Sequence, residues 1–184
     1  MSNTDLIQLN TVEWAQINWR KVEKAVFKLQ KRIYRASISG NVRKLRRLQK
    51  TLINSYYAKL LAVRKVSQDN GGKKTAGVDG VKSLTPKQRL FLVRSLKLSD
   101  KSRPIRRVWI PKSNGKERPL GIPVMEDRAK QALVKSALEP EWEVKFETSS
   151  YGFRPGRSCH DAIESIFSAI RYTPKYILDA FIKT

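Results

Sequence analysis

The chain of 184 residues is poor in the residues that many catalytic and metal sites require. It has one cysteine, Cys159, which excludes an internal disulfide and a thiolate-rich zinc site and makes a reducing compartment the natural expectation. It has one histidine, His160, so a Ser-His-Asp or Cys-His-Asp triad has no spare residues, and a local hydrogen-bonding role beside Cys159 is favoured. No Gly-x-x-x-x-Gly-Lys phosphate loop occurs.

Long apolar runs are also missing. No window approaches the ~20 apolar residues of a membrane span, and the first residues, Met1 to Asp5, have neither the basic nor the apolar region of a signal peptide. An anionic membrane surface would need an exposed apolar face, whereas the apolar positions here are better explained as cores. We therefore expect a soluble, cytoplasmic protein without a membrane partner.

Acidic residues are scarce relative to basic ones. The chain has 16 Asp and Glu against 38 Lys and Arg, a formal net charge of +22. This excess is larger than solubility requires, so it points to a polyanionic partner, with nucleic acid as the leading candidate. The hydrophobic content of 40% allows a buried core, in one domain with an appendage or in two small domains.

The N-terminal half predicts a basic helical hairpin on which Trp14 and Ile17 dock. Asn18 caps a helix that ends near Gly40, with a stripe formed by Val22, Val26, Leu29 and Ile33. A second helix starts at Asn41 and continues as one stripe formed by Val42, Leu45, Leu48, Leu52, Tyr56, Leu60 and Val63. From Arg20 to Lys65 there are fifteen Lys or Arg and one acid, Glu23. A merely solvated face of this kind would repel itself, which favours RNA binding.

The segment from Gln68 to Gly80 breaks the helical pattern with four glycines. It is either a linker or a loop in which Lys73 and Lys74 clamp a nucleic-acid strand. A short helix then opens at Thr85-Pro86, with Thr85 as its cap and Leu90, Val93 and Leu96 directed inward.

The stretch from Arg103 to Pro123 predicts a basic β-hairpin. Ser113-Asn114-Gly115 is a turn signal in which glycine can take a positive φ. Three prolines, at 111, 119 and 123, make both strands short and edge-like. Lys112, Lys116 and Arg118 crowd the tip, which suits a polyphosphate or a nucleic-acid backbone; a solvated basic hairpin is the alternative.

The last part of the chain predicts two helices and a strand. The first helix covers Met125 to Leu138 and is stopped by Pro140, after which Trp142 and Phe146 anchor an irregular stretch in the core. A loop from Tyr151 to Arg157 precedes a second helix. Ser158 and Asp161 cap that helix, and its apolar side is formed by Ala162, Ile163, Ile166, Phe167 and Ile170. Its N-terminus and the loop arginines form a candidate phosphate seat, with a plain loop-to-helix junction as the alternative. The segment from Tyr176 to Ile182 predicts a short strand.

Two of these segments resemble a known family. Pro111 to Pro123, followed by Asp127-Arg128 and Gln131, resembles the first conserved block of the reverse transcriptases encoded by group II introns. Ser150 to Ser158, with His160-Asp161-Ala162, resembles the second block, and Asn70 to Gly80 is similar to the family's loop before the fingers. The resemblance covers nearly the whole chain.

The resemblance implies an α+β fold, in which a basic N-terminal helical hairpin is followed by an incomplete right-hand polymerase fingers region built of a β-hairpin and helices. It assigns residues 1–98 to an N-terminal helical RNA-binding region and 99–184 to a partial reverse transcriptase domain with fingers and the start of the palm. Lys112 and Arg118 would grip the triphosphate of the incoming nucleotide. The candidate RNA- or template-binding residues are Lys73, Lys74, Arg106, Arg107, Lys116, Tyr151, Arg154 and Arg157.

The same resemblance assigns no catalytic or metal-binding residue to this chain. The intact family uses carboxylates to hold Mg²⁺ ions for phosphoryl transfer. In Asp179-Ala180-Phe181-Ile182, Phe181 stands where the family's first catalytic aspartate should be, and Asp179 aligns with a position that does not bind metal. We expect no cofactor in this chain and no polymerase activity from it alone.

The sequence is therefore interpreted as the N-terminal and fingers fragment of a group II intron reverse transcriptase/maturase, truncated before the palm. The implied partners are group II intron RNA and template RNA, with a DNA primer and a separately encoded palm and thumb as further candidates. One alternative is a stand-alone, non-enzymatic RNA-binding chaperone. Another is one half of a split reverse transcriptase.

Overall fold

The computed structural model describes residues 13–99, 101–113, 115–176, 178 and 180, which fall into two compact units, one up to Val144 and one from Lys145. The α+β class is confirmed, because helices predominate and the described strands form a two-stranded antiparallel sheet. None of the described helices is long and apolar enough to cross a bilayer.

The first two helices pack against each other as the predicted hairpin. They are α1, Trp19–Ile38, and α2, Val42–Asn54. Asn18 and Asn41 cap them, each accepting a hydrogen bond from the backbone N–H three residues later, at 3.0 and 2.9 Å. Between the helices Gly40 has a φ of +64°, a conformation that glycine adopts without steric cost.

The prediction of one continuous second helix is wrong. Ser55 is extended, with φ −66° and ψ 127°, and it separates α2 from α3, Tyr56–Arg64. Asn-Ser is a weak helix-forming pair, and the break allows α3 to be buried on several sides rather than along one stripe. Val42 is exposed because it is the first residue of α2. The buried residues of α2 and α3 include Leu45, Leu48, Leu52, Ala58, Leu60, Ala62 and Val63.

Trp14 docks on this core as predicted. Its indole is buried, meets the ring of Trp19 edge-on at 5.0 Å, and donates from Nε1 to Gln68 Oε1 at 3.0 Å. Arg89 donates to the same Gln68 oxygen at 3.2 Å, so the side chain of Gln68 joins the N-terminal segment to the later part of the chain. Ile17 also packs against the core, half-buried.

Two short turns and a helix follow α3. Lys65–Asp69 is a π-helical turn and Gly71–Lys74 is a 3₁₀ turn, so the predicted loop begins with local structure. Helix α4, Pro86–Ser95, starts as predicted, with Thr85 and Gln88 forming a reciprocal capping box. Val93 and Leu96 are buried, and Leu90 is half-buried.

The predicted β-hairpin is confirmed. Strand β1, Arg106–Pro111, pairs antiparallel with β2, Glu117–Ile122. Gly115 has a φ of +75°, and its N–H donates to the Lys112 carbonyl at 3.1 Å. This is the arrangement of a short hairpin loop that requires a left-handed residue at one position. Of the turn signal, Asn114 lies outside the described residues.

The prediction that Pro140 stops the next helix is wrong, because α5 is Met125–Lys145 with Pro140 inside it. Proline lacks the N–H that would bond the carbonyl four residues earlier, here that of Ser136. That carbonyl instead accepts a hydrogen bond from Gln30 Nε2 of α1 at 3.1 Å. A neighbouring side chain thus satisfies the freed carbonyl, and the helix continues.

Trp142 and Phe146 do not lie in the core, as the sequence had predicted; they are 49% and 44% exposed. Because α5 continues past Pro140, its rotation places Trp142 beside the packed face instead of on it. That face repeats every four residues and consists of Met125, Ala129, Leu133, Ala137 and Glu141. Glu141 is buried and accepts a hydrogen bond from Gln49 Nε2 of α2 at 2.7 Å.

The second unit contains the predicted loop and the last described helix, α6, Cys159–Ile170. Ser158 and Asp161 form the expected capping box at its start. The large apolar residues of α6, Ile163, Ile166, Phe167 and Ile170, are exposed, and none of its residues is buried. The predicted strand from Tyr176 to Ile182 lies largely outside the described residues, as do Asp179 and Phe181.

Candidate nucleic-acid and nucleotide interface

The cations of the first three helices form an extended basic surface. Of the fifteen Lys and Arg from Arg20 to Lys65, thirteen are exposed, and Lys59 and Arg64 are half-buried. Within the described part of the chain, Arg64 forms an ion pair with Glu23, and Arg46 forms one with Glu141. The other cations of this stretch face solvent without a carboxylate from the described residues at ion-pair distance, which leaves a strongly positive surface potential.

One part of this surface is a groove. It encloses about 530 Å³ beside the first turns of α1, with Tyr57 of α3 on its wall. Four α1 cations line it: Arg20, Lys21, Lys24 and Lys28. Residues three and four apart share a helix face, so these side chains project from the same side of α1. An open groove with four cations and an aromatic ring suits a phosphate backbone.

The hairpin carries four of its five cations on one face. Side chains alternate between the two faces of a strand, and antiparallel partners share a face. The register pairs Arg106 with Ile122 and Ile110 with Arg118, so the two arginines lie on the same face. The Lys112 N–H donates to the Lys116 carbonyl at 2.7 Å, so the strand pairing continues by one residue pair beyond Pro111 and Glu117. By the same alternation, Lys112 and Lys116 lie on the face of the two arginines.

We call Arg106, Lys112, Lys116 and Arg118 the cation face of the hairpin. All four are exposed, which confirms the prediction that Lys112 and Arg118 are exposed near the tip. Arg107, in contrast, belongs to the opposite face, which we call the Trp109 face and which also includes Trp109, Pro119 and Gly121. The structure therefore divides the hairpin residues predicted from sequence into two groups.

Arg128 holds the glycine-rich loop against the base of the hairpin. Its Nε donates to the Pro123 carbonyl at 2.8 Å, while Nη1 and Nη2 donate to the carbonyls of Gly72 and Thr75 at 2.8 and 2.7 Å. A Cβ on Gly77 would lie 2.8 Å from Val124 Cα, so only glycine allows the two backbones to approach this closely. The loop that carries Lys73 and Lys74 is thus fixed at two points.

The two loop lysines have different surroundings. Lys73 is half-buried and its Nζ donates to the Gln68 carbonyl at 2.6 Å, so part of its donor capacity is used within the turn. Lys74 is exposed. Of the predicted pair, Lys74 is the one more available to a nucleic-acid strand.

Asp127 fixes the backbone of the segment that precedes β1. Its buried carboxylate accepts the backbone N–H of Arg103 at 3.0 Å and a hydrogen bond from Lys130 at 3.3 Å. The hydrogen bond to Glu126 raises the pKa of Lys130, and Asp127 contributes to the same shift. The sequence motif contained Asp127 and Arg128 without indicating their role. The sequence signal that could have indicated these roles is an acid followed directly by an arginine in the first turn of a helix. Side chains there can reach the backbone of the preceding loops.

The two arginines of the loop before α6 have different surroundings. Arg154 is only 8% exposed, and its Nη1 donates to the carbonyls of Glu147 and Ser150 at 2.7 and 2.6 Å. It therefore holds the loop together, whereas the exposed Arg157 lies 5.8 Å from the ring centre of Tyr151. Of the three residues predicted here to bind template, Arg157 and Tyr151 form the surface pair.

The start of α6 already holds an anion. Asp161 accepts hydrogen bonds from the Ser158 hydroxyl at 2.8 Å and the Ser158 N–H at 2.6 Å, and these bonds lower its pKa. A phosphate at this position would meet that carboxylate, which weakens the attraction of the helix N-terminus for anions. The structure thus supports the plain loop-to-helix junction that the sequence left as the alternative to a phosphate seat.

No three His, Cys, Asp or Glu side chains come together as a metal-binding group among the residues that the structure describes. A pair of Mg²⁺ ions needs several carboxylate oxygens. The described residues therefore do not fit the Mg²⁺ pair that the resemblance implies for the intact family.

Two parts of the chain match protein-family models. Residues 14–96 match the N-terminal domain of reverse transcriptase, and residues 110–181 match the reverse transcriptase (RNA-dependent DNA polymerase) domain. Maturase-like protein 1 of Euglena gracilis is 34% identical over 145 residues, covering 74% of this chain. Group II intron-encoded protein LtrA of Lactococcus lactis subsp. cremoris is 40% identical over 101 residues, covering 53% of this chain. The chain belongs to the group II intron reverse transcriptase/maturase family.

This chain corresponds to only part of its relatives. Protein YkfC of Escherichia coli (strain K12) is 45% identical over 113 residues, which are 58% of this chain and 30% of that protein. The matches cover 30% of the Euglena gracilis protein and 17% of LtrA. The basic helices and the groove lie within the match to the N-terminal domain. The match to the polymerase domain begins at Ile110, so it contains Lys112, Lys116 and Arg118.

Proposed function

We propose that this chain supplies the RNA-binding and fingers part of an RNA-directed DNA polymerase, and that it binds RNA chiefly through the basic surface of α1 to α3. The observation that carries the proposal is the set of fifteen cations from Arg20 to Lys65, thirteen of them exposed, opposed by one acid in that stretch. Such a surface binds phosphates without reading the base sequence. The names of the relatives, a maturase-like protein and a group II intron-encoded protein, make structured intron RNA the first ligand to test.

The cation face of the hairpin has a second role in this proposal. Lys112 and Arg118 bind the phosphates of the incoming nucleotide, with Arg106 and Lys116 adding charge on the same side. Arginine contributes a planar, bidentate donor group and lysine a compact charge, which together suit a triphosphate. The support for this assignment is the shared face and the exposure of all four side chains.

RNA binding is tested by measuring the affinity of the purified 184-residue polypeptide for a structured RNA over a salt series. Each phosphate that the protein neutralises releases counterions, so the affinity should fall by about 10³-fold or more between about 50 and 200 mM salt. Filter binding gives the dissociation constants. A logarithmic plot of affinity against salt that is flat would contradict the electrostatic mode of binding.

We also propose that this polypeptide, assayed alone, holds no catalytic Mg²⁺ and does not extend a primer. Mg²⁺ requires oxygen ligands, and the phenyl ring of Phe181 supplies none. The substitution Phe181→Asp should not restore activity, because one carboxylate leaves the two-metal site incomplete. Primer extension on an RNA template, with an intact family member as positive control, measures this. Template-dependent incorporation by the unaltered polypeptide would contradict the assignment.

A further inference from the structure

The Trp109 face of the hairpin exposes an indole at its centre. Trp109 is 52% exposed, although it lies in the middle of β1. Its partner across the sheet is Pro119, and the next pair on the same face is Arg107 with Gly121. All of these residues are exposed.

This face is flat and apolar next to the indole. Pro119 presents a ring opposite Trp109, and Gly121 has no side chain. A Cβ on Gly121 would lie 2.5 Å from Ile105 Cδ1, which shows that the Ile105 side chain lies across the glycine. Ile105, Trp109 and Pro119 thus form an apolar strip, with the guanidinium of Arg107 on the same face.

Trp109 lies on the more exposed of the two hairpin faces. On the opposite face Ile122 is buried and Val108 and Ile110 are half-buried. Trp109 therefore exposes a large apolar group on the face of the hairpin that is less buried. An exposed aromatic residue of this kind is typical of a binding surface.

We propose that Trp109 is a stacking site for an unpaired base of a bound RNA strand, with Arg107 contacting the adjoining phosphate. This rests on the proposed function, because it requires that the chain binds RNA. Every base has a π-face, so stacking on an aromatic side chain tolerates any sequence, and basic grooves that track single strands use this combination. The net charge of +22 and the neighbouring arginine favour a nucleic-acid strand over an apolar protein segment as the occupant.

The charges on the Trp109 face also favour one position for the phosphate next to the stacked base. Glu117 lies opposite Pro111 at the tip end of the Trp109 face, and Arg107 lies at its base end. A phosphate is repelled by the first and attracted by the second. On this face the phosphate next to the stacked base therefore lies on the Arg107 side.

The test compares single-stranded and duplex RNA of equal length, about 12 nucleotides per strand. Trp109→Val keeps a strand-forming residue but removes the ring. Its affinity for the single strand should fall about 10-fold, and its affinity for the duplex, which has no unpaired base to stack, should change less than about 2-fold. Trp109→Phe should retain most of the affinity because it keeps an aromatic ring. Trp142→Val is the matched control, since Trp142 is 49% exposed but lies in α5; it should bind both RNAs like the wild type.

Several results would overturn the stacking site. Equal losses by the Trp109→Val and Trp142→Val variants would show that any exposed indole has this effect. A loss for Trp109→Val that is the same for single strand and duplex would assign the residue to folding or charge placement. A change in sedimentation with no change in RNA affinity would make the face a protein interface. If the wild type binds neither RNA, the proposed function itself fails. If it binds both and Trp109→Val loses no affinity for the single strand, only the stacking site fails.

The proposal also has a test that does not depend on the valine variant folding. The intrinsic fluorescence of wild-type protein should be quenched by single-stranded RNA, and Trp109→Phe should remove most of that quenching while retaining binding by anisotropy. Quenching that is unchanged in Trp109→Phe would place the affected indole elsewhere and contradict the stacking site.

Discussion

Replacing Lys21, Lys24 and Lys28 by glutamine is expected to weaken the binding of structured RNA by about 100-fold at about 100 mM salt. The three lysines line one groove and lie on one face of α1. Each lysine that contacts a phosphate displaces the counterions held by that phosphate, and this release favours binding. The variant loses this contribution to the affinity. Glutamine keeps the helix propensity and most of the side-chain length, so the fold should be retained. Fluorescence anisotropy with a labelled RNA gives the affinities.

The matched control for this variant removes the same charge elsewhere. Lys82, Lys87 and Lys97 are exposed and lie in or beside α4, away from the groove-lining residues. Replacing these three by glutamine lowers the net charge equally and should reduce the affinity by less than about 10-fold through the general potential alone. Equal losses in the two triple variants would mean that net charge, and not the groove, governs binding.

The second large effect is expected for Arg128→Met, which should lower the free energy of unfolding by about 3 kcal/mol. A hydrogen bond to a charged group contributes about 1.5–3 kcal/mol, and the total for the three bonds is less than their sum because Arg128 is half-buried and water can partly replace its donors. The substitution leaves the carbonyls of Gly72, Thr75 and Pro123 without their guanidinium donor. Urea unfolding measures the change.

The variant Arg128→Lys is the control for charge. An ammonium group retains the charge but cannot reach three carbonyls in the planar arrangement of a guanidinium, so most of the loss should remain. A loss below about 1 kcal/mol in Arg128→Met would show that the loop is held chiefly by the close backbone contact at Gly77 and not by the arginine.

The elements that sequence predicted well are those whose signals are local. Asn18, Asn41, Thr85 and Ser158 each cap the helix that follows, because a cap depends on residues within one turn. The hairpin was predicted for the same reason, since a turn with Gly115 between two β-prone segments specifies its own register.

The errors arose where a distant residue determines the local structure. Pro140 should end a helix according to its own chemistry, but Gln30, 106 positions away from Ser136, supplies the missing donor. Ser55 interrupts a stripe that looks continuous because α3 is packed on more than one side. Neither effect can be found in a window of neighbouring residues, since both depend on which helices pack together.

The candidate site was predicted in composition more than in arrangement. Sequence located the basic helices and the hairpin cations, but it could not show that Arg118 shares a face with Arg106 while Pro119 lies opposite Trp109, because cross-strand neighbours depend on the register. It also placed Arg154 among the binding residues, although its guanidinium holds the loop by two carbonyls. An arginine in a glycine-containing loop can bind a ligand or the loop itself, and only the fold separates the two roles.

The central claim is that the α1 groove neutralises RNA phosphates. The measurement that tests it most directly is the slope of log affinity against log salt for the wild type and for the triple variant of Lys21, Lys24 and Lys28. Removing three phosphate contacts should make the slope shallower by about 3, while the triple variant of Lys82, Lys87 and Lys97 should keep the wild-type slope. Parallel slopes for all three proteins would contradict the claim, because they would show that the groove lysines neutralise no phosphate of the bound RNA.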